Sequence, residues 1–223
     1  MTARARTPED LETPAIAAAL RRLVGAHHTH GGLWSVSDPS TGGGVWAVGA
    51  DGYCLAALRV WGPPPFPPEP ESTRGARTRV VERWLSRDPE GHPVDGEALL
   101  AWCGAVCEDC EDTRVQSCEC KGTGEITCTC SWCDDEHVTT CPDCDGDGRT
   151  TCDSCRHPAS GVLLGRLWDR HLIRLVLTAI GTDGLSVHLD ADSLVLRAPG
   201  RLGVVMGMRG GIKAHYPRFE AQP

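Results

Sequence analysis

The sequence predicts an α+β protein built of two β-α-β-β-β halves separated by a loop-rich, cysteine-dense insertion. Three observations predict it. Near both ends of the chain a helical segment is followed by segments of two-residue apolar alternation. Twelve of the 13 cysteines fall between residues 103 and 155. A run of prolines marks where the first half ends. The chain has 223 residues, 40% of them hydrophobic, which suits one domain with a large insertion or two small domains. With two Phe and two Tyr, the seven Trp and the aliphatic residues must supply much of the buried area.

The first half spans 13–62. Thr13-Pro14 reads as an N-cap followed by proline at the first helical position, AIAAALRRLV as a helix, and Gly25 as its stop. LWSVS and GVWAVGADGYCLAALRV alternate like strands, broken by the turn-rich DPSTGGG and by the hairpin signal Asp51-Gly52. Residues 63–102 form a linker and helix. PPPFPPEPES (63–72) is a stiff polyproline-like spacer, RTRVVERWL (77–85) fits strand or helix, and Asp95–Val106 looks helical. After the insertion at 103–157 comes the second half, 159–212. VLLGR (162–166) reads as a strand. LWDRHLIRLVLTAI (167–180) reads as a helix with Trp168, Leu172, Leu175, Val176 and Ala179 on one face, ended by Gly181. LSVHLD, SLVLRAP and GVVMGMR complete a meander, with Leu185, Val187 and Leu189 on one face of the first strand. The two halves thus repeat in pattern, though not in letters.

The start Met1–Arg6 is short and basic, no apolar h-region follows it, and no 18-residue apolar run occurs. A cytoplasmic location and no membrane partner are therefore expected. In a reducing compartment closely spaced thiols are metal ligands rather than disulfides. Their layout agrees. The segments CECKGTGEITCTC (118–130) and CPDCDGDGRTTCDSC (141–155) both run pair, x-Gly-x-Gly, three residues, pair. Two thiolates in a tight turn can hold one zinc ion, glycines permit the positive φ of such turns, and four sulfurs close a tetrahedral site. The candidate ligands are Cys107, Cys110, Cys118, Cys120, Cys128, Cys130, Cys133, Cys141, Cys144, Cys152 and Cys155.

These residues resemble the cysteine-rich domain of DnaJ-type co-chaperones, whose hallmark is repeated C-x-x-C-x-G-x-G. The resemblance covers about 50 residues and is clearest in CPDCDGDG, then CECKGTG. It implies two Zn2+ ions, with the first pair joined to the fourth and the second to the third. Cys107 and Cys110 would meet Cys152 and Cys155, and Cys118 and Cys120 would meet Cys141 and Cys144. The sequence departs from the family in its C-x-C pairs, in EDTR after Cys110 and in a fifth pair. Cys128, Cys130, Cys133 and Cys103 could supply a third ion. No His-Pro-Asp tripeptide of a J-domain is present.

Charge excludes one role for the insertion. Residues 103–157 carry 13 Asp or Glu against four Lys or Arg, and each four-thiolate zinc site adds to the negative charge. Such a surface repels phosphate. Redox chemistry at C-x-x-C is an alternative, but zinc-bound thiolates attack poorly.

The second half, DRHLIRLVLTAIGTDGLSVHLDADSLVLRAPGRLGVVMGMR, is similar to the last half-domain of the bacterial sliding clamp, the DNA polymerase III beta subunit. VVMGMR (204–209) resembles the clamp's Met-Pro-Met-Arg end, and AVGADGYCLA (47–56) its V-A-T-D-G-x-R-L-A turn. The match covers roughly 100 residues in two blocks. It implies a clamp-like α+β body interrupted by the zinc-binding insertion. Clamp rings need six such domains, so an oligomer is a candidate state. DNA contact through Arg166, Arg170 and Arg174, spaced as a helical stripe, is expected if the clamp's role carries over; a solvated polar face is the plainer reading.

His27, His28 and His30 read as a solvated loop, His137 and His157 as neighbours of zinc pairs, and Cys54 as a small buried residue. No Ser-His-Asp elbow, P-loop or dinucleotide fingerprint appears. The functional expectation is a non-enzymatic zinc-binding protein whose cysteine module contacts a protein partner. The alternatives are a replication or repair accessory factor related to the sliding clamp, and a thiol-disulfide oxidoreductase or chaperone-like protein.

Overall fold

A computed structural model describes residues 13–24, 32–38, 44–60, 63–69, 77–86, 91–109, 115–129, 136–152, 159–210, 212–213 and 215–220. The chain divides into two compact units. One comprises Met1–Ala105 with Ala159–Pro223, and the other Val106–Pro158. The Pro-rich segment and the helix after it thus belong to the first unit.

The first unit begins with helix α1 (Thr13–Val24) and strands β1 (Gly32–Ser37), β2 (Val45–Ala50) and β3 (Cys54–Val60). Helix α2 (Arg77–Leu85), the two-residue β4 (His92–Pro93) and α3 (Gly96–Cys103) follow. The other unit holds β5 (Val115–Ser117), β6 (Glu125–Thr129), β7 (Glu136–Thr140) and β8 (Arg149–Thr151), and after it come β9 (Ser160–Leu163), β10 (Arg166–Asp169) and α4 (Arg170–Ile180). Next are β11 (Ser186–Asp190), β12 (Ser193–Ala198), β13 (Arg201–Met206) and β14 (Arg218–Phe219). Seven strands make one sheet in the order β1-β2-β3-β13-β12-β11-β4. The two β-β-β meanders meet third strand to third strand, antiparallel, with Leu58 opposite Arg201 and Cys54 opposite Val205. The sheet is therefore a two-fold arrangement of two α-β-β-β halves.

Apolar alternation explains why both faces are buried. Ala47, Ala56, Leu58, Leu194, Leu196 and Val205 share a core with Ile16 and Leu20 of α1 and with Leu172, Val176 and Ile180 of α4. Val48, Leu55, Ala57, Val195 and Val204 point to the other face, where they pack with Trp34 and with Val81 of α2. A strand buried on both faces must be apolar throughout, and CLAALRV is, apart from Arg59. That arginine pairs with the buried Asp38 at 3.2 Å.

RTRVVERWL is helical, and it seats Val81 against the sheet. The Pro-rich segment is no free spacer. Ser35 N–H donates to Pro67 O at 3.0 Å and Ser35 Oγ to Phe66 O at 2.9 Å, so the segment covers the edge of β1. The helix expected over 167–180 starts later. Leu164 and Gly165, both at positive φ, turn β9 into β10, and Asp169 caps α4 by accepting from His171 N–H at 3.0 Å. Trp168 is thus a strand residue, fully buried, with Nε1 donating to Leu163 O at 2.9 Å. In β11 Val187 is buried but Leu189, one residue from the strand's end at Asp190, is 36% exposed.

Trp168→Ala is expected to cost about 3–5 kcal/mol, through the cavity and the lost hydrogen bond. Urea unfolding followed by far-UV circular dichroism would measure it, and a loss under about 1 kcal/mol would contradict this packing.

Candidate metal centre

The second unit contains two small ribbons. β5 (Val115–Ser117) pairs with β8 (Arg149–Thr151), and β6 (Glu125–Thr129) with β7 (Glu136–Thr140). Each ribbon runs into a cysteine turn. The turn of CECKGTG bonds Lys121 N–H to Cys118 O at 2.9 Å, and that of CPDCDGDG bonds Asp147 N–H to Cys144 O at 2.9 Å. The two turns face each other: Cys118 N–H donates to Gly148 O at 3.0 Å and Cys141 N–H to Gly124 O at 2.8 Å.

The glycines are required twice over. Gly124 and Gly148 have φ of 76° and 71°, and a Cβ on Gly124 would run into Gly146 O, as one on Gly148 would into Gly122 O. The repeated x-Gly-x-Gly motif is therefore the packing surface between the two cysteine turns.

Between these turns the Sγ atoms of Cys118, Cys120, Cys141 and Cys144 lie within 4.8 Å of one another. Cys118 and Cys141 sulfurs are 3.7 Å apart, and those of Cys120 and Cys144 3.8 Å. Four sulfurs about 2.3 Å from a tetrahedral zinc ion stand about 3.8 Å from each other, whereas a disulfide needs about 2.05 Å. The donor set and its spacing fit a metal ion. Backbone N–H groups support the sulfurs, as where Gly148 N–H points at Cys144 Sγ at 3.2 Å.

Protons are shared unequally among the four thiols. Cys120 falls to about 7: its burial penalty is overcome by the N–H groups of Gly124 and Gly122 and by the thiols of Cys118 and Cys144. Cys118 rises to about 12, where the N–H of Cys120 is outweighed by burial and the neighbouring thiols.

A second group holds Cys107, Asp109 and Cys152, with the two sulfurs 3.9 Å apart. Cys110, Cys130, Cys133 and Cys155 lie outside the described residues, as do the side chain of Cys128 and His27, His28, His30 and His157. Cys128 is placed only as a residue of β6 opposite His137.

Cys103 is not with these ligands. It ends α3 in the core of the first unit, 2% exposed. Burial lifts its thiol from 9.0 to about 12, against the pull of Arg174 and Arg170. Cys54 is likewise buried, at the start of β3.

The arginine stripe predicted for DNA does not form, because Arg166 is in a strand and the others are occupied inside the first unit. Arg166 Nη1 donates to Asp192 at 3.0 Å. Arg170 bonds the carbonyls of Ala159 and Trp102 and lies 5.7 Å over the Trp102 ring. Arg174 is 2% exposed and donates to Gly104 O and Ala105 O. These guanidiniums fix the residues at which the chain leaves and re-enters this unit. Arg21 and Arg22 on α1 are exposed.

The sheet and helices make the fold α+β, and the solved structures to which the chain is similar include bacterial sliding clamps. DNA polymerase III subunit beta from Borrelia burgdorferi is 10% identical with a TM-score of 0.40, over 95% of this chain and 67% of that one. The sliding clamp from Bacillus subtilis is 10% identical with a TM-score of 0.40, over 91% and 65%. The beta subunit from Thermotoga maritima is 13% identical with a TM-score of 0.39, over 95% and 68%. The chain spans about two thirds of the length of these structures. No family model matches the sequence, and no curated protein matches it. Among the described residues no helix is long and apolar enough to cross a membrane.

Two outcomes follow. Gly124→Ala should increase the number of rapidly titrating thiols in the native protein while Glu125→Ala leaves it unchanged; equal thiol counts in the two would refute the packing role of Gly124. Because the folded state favours neutral Cys103, the stability this thiol supplies is complete below pH 9.0 and drains away as pH rises toward about 12. Denaturant titrations across that range should show a steeper alkaline loss in the native chain than in Cys103→Ala, and parallel curves would sink the argument.

Proposed function

We propose that this chain is a non-enzymatic zinc-binding protein whose cysteine module is folded by metal and contacts a protein partner. The observation that carries the reading is that the buried apolar residues described in the module are cysteines. Among the described residues of 106–158, every buried apolar residue is a cysteine: Cys118, Cys141, Cys144 and Cys152. Ile126 is half-buried against the first cluster. A segment so small and polar cannot offset its conformational entropy by apolar burial, and metal–thiolate bonds take that role.

Cys118, Cys120, Cys141 and Cys144 would hold one Zn2+. Cys107 and Cys152, with Cys110 and Cys155, would hold another in the arrangement implied by the resemblance to DnaJ-type domains. The ion would supply a closed structural site rather than a catalytic one, because four thiolates leave no open position. Tetrahedral sulfur also suits iron, so the metal's identity is part of the test. The strongly acidic surface favours a basic protein partner over nucleic acid at this module.

A second reading, a DNA-associated replication or repair accessory factor related to the sliding clamp, draws on the two α-β-β-β halves joined at β3 and β13. Under it the body would assemble with further copies or with a clamp, and subunit number by native mass spectrometry addresses it.

The same measurement should find two zinc ions per chain, and one after the double change Cys120→Ser and Cys144→Ser. Chelation under reducing conditions should abolish hydrogen-exchange protection in β5 to β8 while β12 and β13 keep theirs. Absence of metal from the native chain, or a module still protected after chelation, would overturn the proposal.

A further inference from the structure

A stretch near the C-terminal end of the first unit is basic and free of acidic residues. The second unit holds 13 acidic and four basic residues, and the first 17 and 18. Within the first unit, residues 193–219 carry five Lys or Arg and no Asp or Glu. Arg197 is committed to Trp84 O and Arg201 to Ile180 O. Arg209, Lys213 and Arg218 are exposed, and among the described residues none of them pairs with a carboxylate.

The segment bearing them is held at both ends. At its start Gly207 N–H donates to Asp192 O at 2.7 Å and Met208 N–H to Leu167 O at 3.1 Å. At its end Val162 N–H donates to Pro217 O at 2.8 Å, and β14 lies parallel to β9. Phe219 stacks edge-on to Trp102 at 5.8 Å, so strand alternation turns Arg218 outward. A turn from Lys213 O to Tyr216 N–H, 3.2 Å, sets His215 against the Tyr216 ring at 4.8 Å. His215 is exposed and Tyr216 half-exposed.

We propose that this segment binds single-stranded nucleic acid, with Arg209, Lys213 and Arg218 on phosphates and the His215–Tyr216 pair as a stacking platform. Cations attract any polyanion, but exposed rings between them reward unstacked bases, which a duplex does not present. Glu220, exposed two residues from Arg218, is the near acidic group in the sequence. Exposed charges more than about 8 Å apart are largely screened at physiological salt. Neither reading above uses this segment, so the proposal stands apart from both.

The test is fluorescence anisotropy of the full chain with labelled oligothymidylate and oligouridylate of about 20 nucleotides, long enough for one such site. Binding should weaken with salt, and Lys213→Ala with Arg218→Ala should lower the log–log salt slope by about 1.4, at about 0.7 per phosphate contact. His215→Ala should weaken binding roughly 5-fold or more at unchanged slope, the lower end of a base-stacking contribution. Arg209→Ala with Lys213→Ala, both outside β14, repeats the slope measurement should the first pair disturb the strand. Metal content of each variant separates damage to the cysteine module from loss of binding. No binding at low salt, an unchanged slope in both double variants, duplex held as well as single strands, or capture by phosphatidylserine vesicles in place of oligonucleotide would each overturn the proposal.

Discussion

The antiparallel seam between β3 and β13 joins strands that stand on opposite sides of the inserted unit in the chain, and the first unit depends on it. Without the seam each half is a three-stranded meander with one helix, and each strand face would have only part of its cover. With it, α1 and α4 share one core and the Trp34–Val81 cluster forms on the other face. The entropy of closing so long a connection grows only slowly with its length, so an insertion here costs the sheet little more than a long loop would. Arg170 and Arg174 then hold the carbonyls of Ala159, Gly104 and Ala105, where the chain leaves and returns. Guanidinium groups suit this task because they present several donors and accept nothing.

The two units solve the problem of stability by different means. The first buries aliphatic side chains on both faces of a sheet, at roughly 1.5–3 kcal/mol for each large one. The second has almost no apolar residue to bury and places sulfurs at the spacing that a tetrahedral ion demands. Its glycine turns are as necessary as its cysteines. They let two backbones approach until carbonyl and Cα are in contact, which brings one pair of thiols against the other.

What the sequence made legible follows from how local each signal is. Strand alternation and helix stops are local, and so the repeated halves could be read, as could the paired cysteine turns. The boundary at Asp169 could not: Trp168 and Leu172 are four apart, which suits a helix face, and only the turn at Leu164-Gly165 decides against it. Arg166, Arg170 and Arg174 had the same spacing and the same flaw. The partners of Arg170 and Arg174 are backbone carbonyls, which leave no mark in side-chain identity. RTRVVERWL offered too few apolar positions to fix its period, and the sheet face supplied by Trp34, Val48 and Val195 selects the helix.

Charge shows the same limit. A count of Lys and Arg does not distinguish a guanidinium spent on carbonyls from one free to meet a ligand. In this chain the spacing that looks like a surface stripe includes a buried guanidinium, Arg174 at 2% exposure, while the exposed Arg209, Lys213 and Arg218 lie in a segment without periodicity. The ends of that segment are tied by main-chain bonds to β9 and β10 and by Phe219 against Trp102. Periodic spacing places a residue on a face, but hydrogen-bond satisfaction decides whether the face is available. An arginine that has already matched its donors inside the fold would have to break those bonds to reach a phosphate, at a cost that exposed contacts of this kind do not repay.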